Sequence, residues 1–298
     1  MKNKFYIMSA FVISLAGCST NEEGALPSGS FPEDHIIRIT TEVNDPVSRA
    51  GYDAHNLESF GLIIHNSENI AYDYNSQMIK SDDGWNTADG QPMLWDNERT
   101  PITMVAYAPY TSGVGLNTPL AVSVQSNQTI EENVVASDFL LIKSTVDPKQ
   151  DLTAEGKLKV VLDHVMSKLI VKVTVNGTEN AAIEKLGDMS VNGTIVSGSC
   201  DLSAEEPVVV PQEGAVATMI TPYKGEGGYE CILLPQIITE GFSINFSYDG
   251  KLYIWTAVEA VELQKGVEHT LTLNVDETVQ LASRQMRYRV TGQIIDQK

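Results

Sequence analysis

The chain has 298 residues, and its 39 acidic side chains against 20 basic ones leave a formal charge of −19. A body this acidic repels a phosphate backbone, which excludes nucleic acid as a partner. Five histidines scattered singly, with no i, i+4 pair, and the absence of any Cys-x-x-Cys pattern exclude a zincin helix and a structural zinc site, so neither metal nor cofactor is expected.

At the N-terminus, Lys2 and Lys4 precede an apolar stretch from Phe5 to Ala16, shorter than the roughly 20 apolar residues that cross a bilayer. This is the order of a secretory signal. The sequence Leu15, Ala16, Gly17, Cys18 looks like the lipobox of bacterial lipoproteins, in which the cysteine is acylated and becomes the new N-terminus. Residues 1–17 are then the signal peptide, and Cys18 carries the lipid that anchors the chain in the outer membrane. Residues 18–34 are mostly small and polar and read as a flexible tether. Within it, Glu22 and Glu23 resemble the surface-export signal of some Gram-negative lipoproteins, although solvated tether charges account for them equally. Beyond Cys18 only Cys200 and Cys231 remain, compatible with one disulfide or with two buried free thiols.

From residue 35 onward, short alternating runs rich in Val, Ile, Thr, Tyr and Phe predict an all-β body. Ile37, Ile39 and Val43 form the first run; Ile102, Met104 and Ala106 a second; Leu169, Val171, Val173 and Val175 a third; Ile244, Phe246 and Tyr248 a later one. Asn176-Gly177, Asn192-Gly193 and Asp249-Gly250 are expected to form tight hairpin turns, because they tolerate positive φ. One or two helical turns are expected within 179–186. Turn residues between Ser144 and Lys157 suggest a linker, dividing the body into 35–155 and 156–298.

No serine elbow and no cysteine with catalytic flanks is present, so the chain does not read as an enzyme. The acidic turns Asp82-Asp83-Gly84 and Asp89-Gly90 lack calcium-loop spacing and read as solvated turns. Trp85, Trp95 and Trp255 are either a platform for stacking a glycan or core residues. The strand at 35–43 precedes Ser48, Arg49, Ala50 and Gly51, a small-residue turn that offers an arginine to a protease. A cut between Arg49 and Ala50 would remove lipid and strand together, leaving a groove of unpaired backbone groups for a strand from another molecule. At the other end, Met286, Tyr288 and Val290 alternate with arginines and Ile294 follows. This is a candidate donor strand, or else an edge strand of its own domain.

Several stretches together resemble the fimbrillin-like family of type V pilins and accessory subunits. They are Pro46 to Tyr52 (PVSRAGY), Ile102 to Pro109 (ITMVAYAP), Ser137 to Leu141 (SDFLL), Val160 to Val175 around His164, Met166, Ser167 and Lys168, and Leu234 to Gln236 (LPQ). The resemblance implies two tandem transthyretin-like β-sandwich domains, export as a lipoprotein, cleavage after Arg49 and assembly with other pilus subunits by strand exchange. The expected function is a structural subunit of a cell-surface fimbrium supporting adhesion. The alternative is a surface-anchored lipoprotein, a tip adhesin or accessory protein, that binds a glycan or another ligand on a host or bacterial surface.

Overall fold

The computed structural model describes residues 30–44, 51–175, 183–276 and 289–297. The signal, Cys18, Arg49, Ala50, Met286, Tyr288 and the Asn176-Gly177 turn lie outside them. The described chain is all-β apart from one short helix, α1 (Glu131–Val135), and two 3-10 turns. The first eight strands are β1 (Ile39–Asn44), β2 (Ser59–His65), β3 (Tyr74–Ser81), β4 (Gly84–Thr87), β5 (Ile102–Ala108), β6 (Leu120–Ser123), β7 (Leu140–Val146) and β8 (Leu158–His164). There follow β9 (Ser167–Val175), β10 (Leu186–Thr194), β11 (Ser197–Cys200), β12 (Val209–Pro211), β13 (Thr218–Ile220), β14 (Tyr223–Gly225) and β15 (Gly228–Leu233). The last six are β16 (Gln236–Ile238), β17 (Ser243–Tyr248), β18 (Lys251–Thr256), β19 (Val261–Leu263), β20 (Glu268–Asp276) and β21 (Arg289–Gln297).

Seven strands of the first half form one sheet in the order β1-β8-β7-β5-β2-β3-β4. Its edges meet, because the indole N–H of Trp85 on β4 donates to the Thr41 hydroxyl on β1 at 2.9 Å. The curled sheet encloses a first core that includes Phe60, Leu62, Met104, Leu140, Val160 and Leu162. The alternate residues Ile63, Val105, Tyr107 and Leu141 belong to a second core on the opposite face. Burial on both faces explains why β2 and β5 are nearly continuous apolar runs rather than alternating ones.

The second core lies between the five-stranded sheet β14-β15-β9-β20-β21 and the four-stranded sheet β13-β10-β17-β18. The two halves interlock. Strand β6, from the first half, pairs with β11 in a three-stranded sheet. Gln128, fully buried, imitates a peptide: its amide oxygen accepts from the Ile232 N–H at 2.9 Å and its amide nitrogen donates to the Ile232 carbonyl at 2.8 Å. The Lys143 ammonium on β7 donates to the carbonyls of Leu202, Ser203 and Ala204.

Several expectations are corrected. The stretch 147–157 joins β7 to β8, and those strands pair through Leu140–His164 and Leu141–Asp163. It is therefore a connection within one sheet, and the chain passes to the next sheet at Val165–Met166. Phe31, within the stretch read as tether, packs on the first core, 5.1 Å from the His35 ring and 6.4 Å from that of Trp95. Asn192-Gly193 lies inside β10 at a register shift instead of turning a hairpin; Gly193 has φ +89° there, and the Gly241 carbonyl occupies the place of a Cβ. Of the helix expected within 179–186, the described part is a single 3-10 turn, Ile183–Lys185, followed directly by β10. Asp249-Gly250 does behave as expected: both residues have positive φ and join β17 to β18 in a two-residue loop.

Candidate functional site: the edge strand at the first core

Strand β1 has one backbone partner. It runs parallel to β8, from Ile39 beside Leu158 to Asn44 beside Asp163. Its lead-in is held separately, by the Ile37 N–H on the Met93 carbonyl and the Trp95 N–H on the His35 carbonyl. Inward-facing Ile37 and Ile39 are buried in the first core, Val43 packs against it, and Thr41 takes the Trp85 bond. The outward residues are polar, with Glu42 bonded to Lys159 at 2.9 Å. Strand β1 therefore has one apolar face and one ladder, and among the described residues its other backbone edge is unpaired.

At its entrance, Asp34 accepts from the Arg38 guanidinium at 3.0 Å and from the Ile36 N–H at 3.1 Å. The arginine, first, and the amide hold the Asp34 carboxyl down at about 2, against an ordinary 3.8. A carboxyl depressed by folding contributes fully above its unfolded value, and the contribution is lost as pH falls through its folded value. The Ile36 amide resonance is therefore expected to titrate with a midpoint near 2, and Arg38→Gln to move that midpoint toward 3.8. A wild-type midpoint near the ordinary value would refute the clasp.

Downstream of the segment holding Arg49, the chain is bolted. Gly51 is buried at φ +127°, and an added Cβ would come within 2.6 Å of the Asp138 carboxylate. That carboxylate, 1% exposed, accepts from the Tyr52 N–H at 2.9 Å and faces His164 Nδ1 at 2.8 Å. Asn56 donates to the Gly51 carbonyl and accepts from the Asp53 N–H, knotting the turn from 51 to 57. Burial, then the Asp138 charge, pushes the Tyr52 hydroxyl up. Asp138 and His164 lie in two separate stretches of sequence, 26 positions apart, and no local spacing announces their pairing.

The remaining site residues disperse. Trp95 is buried and Trp85 stands edge-on to Phe60, both at the first core, whereas Trp255 packs on the second. The three therefore make no common stacking platform, because each ring is used to fill or seal a core. Cys200 on β11 and Cys231 on β15 are buried free thiols rather than a disulfide. Desolvation raises both, Cys200 to about 11, so neither is a reactive thiolate at neutral pH. Val290 and Ile294 lie in β21, paired to β20 from Arg289 beside Asp276 to Gln297 beside Glu268.

No helix among the described residues is long and apolar enough to cross a membrane. A sequence model described as fimbrillin-like matches residues 49–286. Among curated proteins, no match is found. A crystal structure of a cell adhesion protein from Bacteroides ovatus superposes with a TM-score of 0.63 at 18% identity, covering 88% of this chain and 97% of its own. One from Bacteroides uniformis, also described as a cell adhesion protein, gives 0.59 at 17% identity, covering 88% and 98%.

Proposed function

The chain belongs to the fimbrillin-like family, and on that premise we propose that it is a structural, non-enzymatic subunit of a surface pilus that supports adhesion, exported as a lipoprotein on Cys18. Cleavage between Arg49 and Ala50 then frees the body from its lipid, and β1 leaves the first core to be replaced by a strand of another subunit. The observation that carries this reading is the position of β1. It is a one-ladder edge strand sealing the first core, and the next described residue after it is the bolted Gly51. The cut therefore separates an element that can leave from one that cannot. In this reading the two halves correspond to the family's transthyretin-like sandwiches, and the outer membrane is the station before assembly.

Intact mass and N-terminal sequencing of the chain recovered from sheared surface pili test it. The expected N-terminus is Ala50, and Arg49→Ala is expected to leave the chain lipidated at Cys18 and absent from the pilus fraction. Pilus-borne chain that begins uniformly at Cys18 would overturn the processing step.

A further inference from the structure

We infer that β21 is a permanent member of its own sheet, so that this chain accepts a strand from a different subunit but does not donate β21 to a copy of itself. The inference rests on the pilus reading above, in that the acceptor is the groove β1 vacates.

Three inward positions of β21 are each fitted to the home sheet. At Gly292 an added Cβ would fall 2.7 Å from the Trp255 ring and 3.0 Å from Leu273, so the indole lies directly on bare backbone. Trp255 is itself seated edge-on to Phe242 at 6.2 Å. Ile294 packs on the second core. Asp296 meets His269 Nδ1 at 2.7 Å, and His269 is fully buried on β20. The other ring nitrogen, Nε2, accepts from the Gln264 N–H at 3.1 Å. That bond places the proton on Nδ1, aimed at the Asp296 carboxylate.

The groove under β1 asks for something else. Its inward positions hold Ile37 and Ile39 in the first core, then Thr41 and Val43. Gly292, Ile294 and Asp296 are spaced by two, as are Ile37 and Ile39. Whichever isoleucine site receives Ile294, and in either strand direction, the other isoleucine site receives Gly292 or Asp296. The first leaves a void the size of an isoleucine side chain; the second buries a carboxylate in an apolar wall without its histidine. A copy of β21 is thus a poor occupant of this groove and a well-fitted one of its own.

The test uses the full chain after limited cleavage at Arg49, with a fluorescent peptide of residues 35–44 in excess. The peptide is expected to exchange into the groove, while light scattering reports a single monomer mass at rising concentration and the amides of 289–297 stay protected from hydrogen exchange. The double variant Trp255→Ala, Asp296→Asn is expected to speed exchange across 289–297 by about tenfold or more, as follows from losing a charge-assisted hydrogen bond and a ring contact. A ladder of oligomers from the cut wild-type protein, or unprotected amides in 289–297, would overturn the retention of β21. So would a double variant that exchanges no faster. Failure of the peptide to enter would overturn the acceptor groove, and with it the strand-exchange part of the pilus reading, leaving the retention of β21 judged by its own amides.

Discussion

Replacing Asp138 with alanine is expected to destabilise the protein by at least about 1–3 kcal/mol, the cost of leaving even one buried hydrogen-bond donor without its acceptor. Its side chain is 1% exposed; it accepts from the Tyr52 and Phe139 amides, each at 2.9 Å, and faces the His164 ring nitrogen Nδ1 at 2.8 Å. Alanine removes the acceptor of the Tyr52 and Phe139 amides, so the penalty is desolvation without return. Asparagine keeps one carbonyl oxygen and is expected to lose less. The damage should concentrate at the turn from 51 to 57. Limited chymotrypsin digestion is expected to cut Asp138→Asn after Tyr52 and Leu57 faster than it cuts the wild type, since both lie in that turn. Equilibrium denaturation in urea measures the first effect, and a loss below about 1 kcal/mol would show that the carboxylate is not the bolt. The functional weight follows from position: without it, removing β1 would loosen the chain leading into β2 as well.

Gly61→Val is expected to prevent accumulation of folded protein. Gly61 on β2 stands directly opposite Tyr107 on β5, and a Cβ at residue 61 would lie 2.4 Å from the tyrosine ring. Tyr107 cannot swing away, because it is fully buried in the second core and its hydroxyl donates to the Thr111 carbonyl at 3.1 Å. Burial, then neighbouring Tyr110, pushes that hydroxyl to about 12. Forcing even one methyl into a packed core costs about 1–3 kcal/mol, and valine adds branching at the point of overlap. Gly61→Ala paired with Tyr107→Leu offers the control, since the smaller side chain vacates the contested space. A coupling energy of about 0.5–3 kcal/mol in favour of the double variant is expected from residues in contact. Strict additivity, or a soluble and fully stable Gly61→Val protein, would contradict the packing.

The cost at Gly61 also shows how the halves depend on each other. Tyr107 belongs to the first sheet by its ladder and to the second core by its ring. An expected division at residue 155 treats such a strand as serving one domain only. Sheet β1-β8-β7-β5-β2-β3-β4 is instead both the wall of one core and the lid of the next, with Lys143 and Gln128 as polar ties.

Sequence by itself determined the all-β class, the Asp249-Gly250 hairpin, the inward set Ile37, Ile39 and Val43, and the family. These are properties of neighbouring residues: side-chain alternation, tolerance of positive φ, and short diagnostic stretches. Only the tertiary structure decided that β8 completes the first sheet, that β6 crosses to β11, that the tryptophans seal cores, and that Cys200 and Cys231 stay apart. It also decided which strand seals the first core and which is seated in its own sheet. The physical reason is distance along the chain. Asp138 meets Tyr52 across 86 positions, and Trp85 meets Thr41 across 44. Such pairings are selected by packing the whole chain at once, so no local pattern of residue types carries them.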